Sequence, residues 1–272
     1  MKKFRSFLSI ILTAVMIICC LPVTSFAASK PDYLLLGDSI AYGQGIVNSN
    51  AGCYGKIVAD TNGYNYKNLA VDGFTSKALL LYLETSSVKS AVREAEIIQI
   101  SIGGNDFLTS NLPLLLFTGL MDMDFMFNSR QKSFSANFTE LIEKIKEINP
   151  KAKLLIQTLY NPCSNSLRRV YQKGVNVINN TIKSYLANHP GSFTIVDVES
   201  AFAGHSDYIA VDTIHPNSKG NLAIANKTLS VLGSGRAAVI TSPATDWTSA
   251  SQTNAAYSVI NKLANIIASL FD

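Results

Sequence analysis

Five short runs of apolar residues recur along the chain, at 33–36, 64–69, 96–102, 153–158 and 193–198. Each has the length of a β-strand and is bounded by turn-forming residues. The intervening segments carry apolar residues at helical spacing, at 54–61, 75–83, 88–95, 134–148, 167–186 and 218–231. Strands that alternate with helices predict one α/β domain, whose central parallel sheet of about five strands is covered on both faces.

The N-terminal 27 residues do not fit this pattern. Lys2, Lys3 and Arg5 form a basic start, residues 7–20 are mostly apolar, and small residues precede position 28. These features predict a secretory signal peptide over residues 1–27 and therefore a secreted protein. A retained anchor helix is the alternative, but the apolar run is short for a stable membrane span.

The C-terminal segment also differs from the predicted domain, which we place at residues 28–232. Residues 233–253 are rich in Ser, Thr, Ala and Gly, and apolar residues then follow helical spacing from 257 to 270. Lys262 is the only basic residue of this last segment. A helix lying on a membrane surface would usually carry a basic face, so we expect residues 233–272 to end in an amphipathic helix that docks on the core.

Charge and cysteine content exclude some classes of function. The signal peptide holds three of the 23 basic residues, so the mature chain carries 20 basic and 19 acidic ones. No basic run is interleaved with aromatic residues, so a nucleic-acid partner is not expected. Cys53 and Cys163 of the mature chain could form a disulfide, or stay as two unpaired buried thiols, which we slightly favour. Neither has the spacing of a metal site.

The segment Gly37-Asp38-Ser39-Ile40 directly follows the first apolar run. Ligands bind outside the carboxyl ends of strands in an open parallel sheet, so Ser39 should face a crevice. If a helix begins at Ile40, the Ser39 N–H points out of the helix N-terminus, where developing negative charge is favoured. Taken alone, the segment is better explained as an ordinary strand-to-helix turn with an Asx or Ser cap, since these residue types are common in turns.

A nucleophilic serine needs a base and a group that orients the base. Of the three histidines, His189 lies in a helix-stop sequence and His205 in a polar loop, so both should be solvated. His215 differs because Asp212 lies three residues before it, within reach if the loop makes a helical turn. A capped loop before the last helix is an equally good interpretation of this spacing.

An oxyanion formed at the serine needs hydrogen-bond donors aimed at it. The candidate donors are the backbone N–H groups of Ser39 and Gly73 and the side-chain amide of Asn105. Glycine permits close approach of the backbone to a substrate. Each position alone could also be a plain turn residue.

Four short blocks in this order resemble the SGNH (GDSL) hydrolase family. They are Gly37-Asp38-Ser39-Ile40, 68–73, Gly103-Gly104-Asn105-Asp106 and Asp212-Thr213-Ile214-His215-Pro216. The resemblance implies a flavodoxin-like three-layer α/β/α fold and a secreted esterase or lipase that needs no metal and no organic cofactor. It assigns Ser39, Asp212 and His215 to a catalytic triad, and Ser39, Gly73 and Asn105 to the oxyanion hole. The block at 68–73 matches loosely, which makes Gly73 the weakest assignment.

The apolar stretch 112–127 has no counterpart in a minimal family member. It follows Asn105 closely and is too apolar for a solvated loop. We predict that it lines an acyl-binding wall, with Leu116 and Phe117 contacting substrate, although burial in the core is a near-equal alternative. The expected substrate is a small-molecule or lipid ester. A carbohydrate esterase that removes acetyl groups from glycans, or a non-catalytic binding module on the same fold, are the alternatives.

Overall fold

A parallel five-stranded sheet forms the centre of the computed structural model, which describes residues 30–108, 118–119, 121, 123–164 and 167–249. The strands are β1 (Asp32–Gly37), β2 (Asn65–Asn68), β3 (Ile97–Ser101), β4 (Lys153–Gln157) and β5 (Thr194–Val196). Their spatial order is β2-β1-β3-β4-β5, with parallel pairing throughout. This is the flavodoxin-like order, which confirms the predicted fold class.

Helices of different lengths connect the strands. They are α1 (Ser39–Tyr42), α2 (Ser49–Gly52), α3 (Tyr54–Asn62), α4 (Ser76–Tyr82), α5 (Ser86–Glu94), α6 (Gly104–Leu108), α7 (Phe125–Ile148), α8 (Arg168–Asn188), α9 (Val198–Phe202) and α10 (Ser218–Leu232). A short 3₁₀ turn covers Ser206–Tyr208. The predicted helices at 54–61, 75–83, 88–95, 167–186 and 218–231 correspond to α3, α4, α5, α8 and α10.

Side chains of each central strand alternate between two cores, as the two-residue repeat of a strand requires. In β1, Leu34 and Leu36 join the core that packs against α4, α5, α7 and α8. Tyr33 and Leu35 join the other core, which packs against α3, α9 and α10. The helices therefore form one layer on each side of the sheet, giving a three-layer α/β/α sandwich.

The helix predicted at 134–148 begins nine residues earlier, at Phe125. The reason is that Phe127 lies two helical turns before Phe134 and continues its buried face. The ring centroid of Phe127 is 5.9 Å from that of Phe107, which holds the first turn of α7 against α6. The end of the stretch 112–127 is therefore helix, whereas Leu116 and Phe117 lie outside the described residues.

Several other predictions concern residues that the structure does not describe. The signal peptide at 1–27 and the predicted docking helix after residue 250 belong to this group. Within the described ranges, no helix is both long enough and apolar enough to span a membrane. Cys53 and Cys163 are both free thiols; Cys53 is buried and Cys163 is half-buried.

Candidate active site

The candidate site lies where β1 and β3 end. The chain leaves β1 toward β2 on one side and later returns to β3 on the other, which opens a crevice at the carboxyl ends of the strands. Gly37 is the last residue of β1 and has φ +128°. Its backbone lies very close to the end of the neighbouring strand β3. A Cβ atom at this position would lie 1.9 Å from the carbonyl oxygen of Ser101. Only glycine therefore lets the turn after β1 sit this close to β3.

Asp38 builds the turn that presents Ser39. It is the N-cap of α1, and its Oδ1 accepts hydrogen bonds from the Ile40 amide at 3.1 Å and from the Ser101 hydroxyl at 3.2 Å. Burial raises the pKa of Asp38 to about 7, although both hydrogen bonds act in the opposite direction. Ser39 is the first residue of α1 and lines the cavity described below. The turn thus matches the strand–turn–helix arrangement expected for this serine.

The loop after β2 reaches the same edge of the sheet. The Asn68 side chain donates a hydrogen bond to the Ala41 carbonyl of α1 at 2.9 Å, and Val71 N donates to Gly37 O at 3.0 Å. Gly73, two residues further, is exposed and has φ +79°, a conformation that favours glycine. The cavity beside Ser39 is not lined by Gly73. Its role as an oxyanion donor stays a prediction.

Asn105 lies in the short helix α6, directly after β3. It is 3% exposed, lines the same cavity as Ser39, and its side-chain amide donates a hydrogen bond to the Phe74 carbonyl at 2.9 Å. The next residue, Asp106, accepts hydrogen bonds from the amide and hydroxyl of Ser76 at the start of α4. The two residues therefore tie the loop around Gly73 to α6.

Asp212 and His215 form a buried pair on the loop before α10. The His215 Nδ1 atom is hydrogen-bonded to Asp212 Oδ2, and both side chains are almost fully buried. Asp212 Oδ1 also accepts hydrogen bonds from the backbone amides of Ile214 and His215, at 3.1 and 3.0 Å. Burial disfavours the charge of Asp212, but the contacts with His215 and these amides outweigh it and hold its pKa below the usual range.

The turn that joins these two residues differs from the predicted helical turn. Thr213 between them has φ +65°, which lies in the left-handed region. The loop is therefore a tight bend closed by the Asp212 side chain rather than a turn of helix. The predicted contact between Asp212 and His215 is present in spite of this difference.

The loop after α1, which follows the serine turn, packs directly against the Asp–His loop. Gly45, in the loop after α1, lies so close that a Cβ atom there would be 2.2 Å from the Pro216 carbonyl oxygen. Behind the Asp–His loop, the Tyr160 hydroxyl donates a 2.6 Å hydrogen bond to the Ile214 carbonyl oxygen. The fold thus brings the predicted residues from both ends of the domain to one edge.

The other two histidines lie at the surface, as predicted. His189 stacks on Tyr185 at a ring distance of 4.3 Å, and His205 stacks on Tyr208 at the same distance. Both imidazoles are exposed. Among the described residues, no cluster of three or more His, Cys, Asp or Glu side chains has the arrangement of a metal site.

An apolar cavity of about 100 Å³ opens beside Ser39. Its apolar walls come from α6, the start of α7, the segment after β4, and α8. They include Phe107, Leu108, Phe127, Leu159, Tyr160, Pro162, Val170, Tyr171, Gly174 and Val175. Phe127 is thus the described end of the predicted wall at 112–127.

Sequence reasoning missed the α8 side of this wall. Gly174 and Val175 look like ordinary core residues of a long amphipathic helix. The available signal was Gly174 itself, because glycine inside a helix costs stability and its presence there indicates a packing or functional reason.

The strand order, the serine turn after β1 and the Asp–His loop before α10 give a three-layer α/β/α fold with the three predicted site residues at the carboxyl edge of the sheet. The chain belongs to the GDSL-like lipase/acylhydrolase family, whose model matches residues 35–223. It is 27% identical over 214 residues to the spore germination lipase LipC of Bacillus licheniformis, covering 75% of this chain and 97% of LipC.

Solved structures share the fold at lower identity. The lipase Lip_vut3 from a goat rumen metagenome superposes with a TM-score of 0.64 at 22% identity, over 74% of this chain and 97% of that chain. Axe2, an acetylxylan esterase from Geobacillus stearothermophilus, superposes with a TM-score of 0.54 at 19% identity, over 75% and 94%. Neighbours of both lipase and carbohydrate-esterase type therefore have this architecture.

Proposed function

We propose that the protein is a serine ester hydrolase in which Ser39 is the nucleophile, His215 the general base and Asp212 the group that orients the base. The observation that carries the proposal is the buried Asp212–His215 pair, on a loop packed against the loop that follows α1, the helix that begins at Ser39. Asp212 binds Nδ1 of the imidazole, which leaves Nε2 as the atom that can take a proton from a serine.

The reaction then has two steps. Ser39 Oγ attacks the ester carbonyl while His215 Nε2 takes the serine proton, and the same proton is passed to the departing alcohol as the acyl-enzyme forms. A water molecule then gives a proton to His215 and attacks the acyl carbon, and Ser39 regains its proton as the carboxylic acid leaves. Asp212 stays ionised throughout and stabilises the imidazolium.

The negative charge on the carbonyl oxygen needs donors on the open side of the serine. The Ser39 amide and the Asn105 side chain are the proposed donors, because both residues line the cavity in which the ester would sit. Gly73 is proposed as the third donor. Its support is indirect: the loop that carries it is bonded to α6 through Asn105 and Phe74.

The cavity beside Ser39 supports an ester with an apolar acyl group. Its walls are almost entirely apolar, and its volume is about 100 Å³. An apolar cavity of about 150 Å³ can hold benzene, so this one suits a chain of roughly four carbons and longer chains that extend toward solvent. Each methylene buried there contributes ~0.8 kcal/mol to binding. We therefore favour short- to medium-chain acyl esters over acetyl esters.

Covalent labelling tests the nucleophile directly. A fluorophosphonate probe should modify Ser39 only, and Ser39→Ala should abolish both labelling and hydrolysis of a chromogenic butyrate ester. Ser87→Ala, an exposed serine at the start of α5, is the matched control and should behave as wild type. Labelling that persists in Ser39→Ala would refute the assignment.

A panel of acyl chain lengths tests the cavity. Gly174→Leu places a side chain into the cavity, where an added Cβ would already lie 3.5 Å from the Phe107 ring. It should lower kcat/KM for butyrate and hexanoate esters at least tenfold and change the value for acetate esters little. Asn180→Leu, on the exposed side of α8, is the control and should change neither.

Preference for acetyl esters in the wild type would instead favour the carbohydrate-esterase alternative. A polar groove adjoins the cavity at Pro162, which lines both. The groove is lined by Asn161, Arg168, Gln172, Glu199 and His205, side chains that can bind hydroxyl groups. An acetylated oligosaccharide hydrolysed faster than any simple ester would establish this second candidate.

We also infer that the mature enzyme is exported, on the strength of the signal-peptide pattern in residues 1–27. Expression in a bacterial host should give activity in the culture medium and a mature N-terminus near residue 28. Activity retained in the cells on an uncleaved chain would contradict this inference.

A further inference from the structure

The segment after α10 returns across the domain to the candidate active site. Its first part is held on α3: the Arg236 guanidinium donates to the Thr61 carbonyl at 3.1 Å, and Val239 N donates to the Thr61 hydroxyl at 2.8 Å. The Thr241 hydroxyl binds the Asp60 carboxylate. This segment lies beyond residue 223, where the match to the family model ends. The contacts that follow are therefore a feature of this chain and not of the family model.

Residues 244–247, which we name the clasp, first contact the loop that follows the serine helix. Val47 N donates to Thr245 O at 2.7 Å, and Trp247 N donates to Gly45 O at 3.2 Å. The two strands of chain run antiparallel here, with Ile46 opposite Asp246. The clasp thus adds a short second strand to the loop after Ser39.

The clasp also contacts the segment that carries the histidine. The Asp246 carboxylate accepts hydrogen bonds from the Ser218 amide at 2.6 Å and from the Ser218 hydroxyl at 3.1 Å. Ser218 begins α10 and lies three residues after His215. One carboxylate in the clasp therefore fixes the helix end that follows the Asp–His loop.

Trp247 completes the contact by covering His215. Within 233–249 it is the only buried residue, with 7% of its surface exposed. Its ring centroid lies 6.1 Å from that of the His215 imidazole, at an interplanar angle of 73°. The Trp247 side chain, in an otherwise exposed segment, thus packs against His215, the proposed general base.

We propose that the clasp completes the active site and that Trp247 is a positioning residue for the His215 imidazole. The inference rests on the proposed role of His215 as the base. A general base must keep one ring orientation, with one nitrogen toward Asp212 and the other toward Ser39. Trp247 packs against the imidazole ring and excludes water from the contact between His215 and Asp212. The backbone of the clasp holds the loop after α1 and the Asp–His loop in fixed relative positions.

Tryptophan fluorescence tests the contact in the unmodified protein. Trp247 is the only tryptophan in the chain, so its emission is read without interference. A protonated imidazole quenches a neighbouring indole, so emission should fall as pH is lowered. The midpoint of this fall should coincide with the midpoint of the acid limb of the kcat/KM profile. His215→Asn should remove this quenching, whereas His205→Asn, a surface control, should leave it unchanged. Quenching that persists in His215→Asn, or emission that does not respond to pH, would overturn the proposal.

Two substitutions test the function of the contact. Trp247→Ala should lower kcat for a butyrate ester by about tenfold to a hundredfold and leave KM within twofold. Trp247→Phe, which keeps an aromatic ring at the site, should recover most of the rate. Val239→Ala is the control, because Val239 is exposed and binds α3 through its backbone amide.

The outcomes separate this inference from the proposed function. If His215→Ala retains activity, the base has been misassigned and the proposed function fails. If His215→Ala is inactive but Trp247→Ala keeps the wild-type kcat, the clasp is only structural and this inference fails. If Trp247→Ala does not fold, wild-type kcat in both Trp247→Phe and Trp247→Leu would show that the side chain at this position does not position the imidazole, and would equally overturn it.

Discussion

Asp38 and Asp212 are two buried aspartates at the same edge of the sheet, and their surroundings differ in one respect. Asp38 accepts hydrogen bonds from two neutral donors, the Ile40 amide and the Ser101 hydroxyl. Asp212 accepts two backbone amides and also faces the His215 imidazole. Burial raises the pKa of Asp38 to about 7, whereas the pKa of Asp212 lies below its usual range despite burial.

The difference shows that a buried carboxyl group can have two roles. It can shape a turn by accepting hydrogen bonds, or it can hold a negative charge beside another group. Asp38 shapes the turn that presents Ser39, which a neutral group could do as well. Asp212 keeps its charge because the His215 imidazole and two backbone amides contact it, and in the proposed mechanism that imidazole becomes positive. Position next to the proposed nucleophile in sequence is therefore a weaker sign of a catalytic carboxylate than contact with the proposed base.

The largest expected effect is the loss of kcat when each aspartate is replaced by asparagine, and it should differ between the two sites. Asp212→Asn should lower kcat by ~10³–10⁴, because the amide cannot hold the imidazole in the required tautomer or stabilise its positive form. Asp38→Asn should lower kcat less than about tenfold, since the amide oxygen can still accept both hydrogen bonds. Steady-state kinetics on one ester would measure both. Equal losses in the two variants would mean that the charge of Asp38 also takes part in the reaction.

A neutral side chain at the same edge should have an intermediate effect. Asn105→Ala should lower kcat by ~10²–10³ with little change in KM, because an oxyanion donor acts mainly in the transition state. Asn149→Ala is the control: Asn149 follows α7 and its side-chain amide donates to the Val92 and Ala95 carbonyls at the end of α5, so the variant should lose stability but not kcat. A normal kcat in Asn105→Ala would assign Asn105 to the turn alone.

The effect of pH on stability should have opposite signs at the two aspartates. The folded-state pKa of Asp38 is raised, so the stability it contributes is present below pH 4 and is lost as pH rises toward 7. Wild type should therefore lose roughly 2–4 kcal/mol relative to Asp38→Asn over this range. The pKa of Asp212 is lowered, so wild type should instead lose stability relative to Asp212→Asn as pH falls below 4. Urea denaturation at several pH values would measure both, and trends of the same sign would contradict the comparison.

The parts of the site that local sequence could predict are those in which a few neighbouring residues determine the geometry. The apolar run of β1 followed by Gly37 predicts a strand and a tight turn. The position of Ser39 at the carboxyl edge of the sheet is a consequence of that turn. Asp212 and His215 are close enough in sequence for their contact to be expected. The parallel sheet follows in the same way from the alternation of strands and helices.

The remaining features depend on contacts between distant parts of the chain. The left-handed Thr213 was not predictable, because threonine rarely adopts that conformation and only the surrounding bonds to Asp212 select it. The cavity wall combines α6, α7 and α8, which no local pattern connects. Trp247 stands in a Ser- and Thr-rich segment with no periodicity, so nothing near it in sequence indicates that it contacts His215.

The backbone contact between Gly45 and Trp247 has a consequence for how the enzyme is made. Ser39 directly follows β1, the first strand of this sheet in chain order, whereas Trp247 is synthesised only after every strand of the sheet. On the role inferred for the clasp, a nascent or prematurely terminated chain has its nucleophile long before its base is held in place. On that role, cleavage of the chain at about residue 240 should leave the sheet folded and lower the activity proposed for Ser39 and His215.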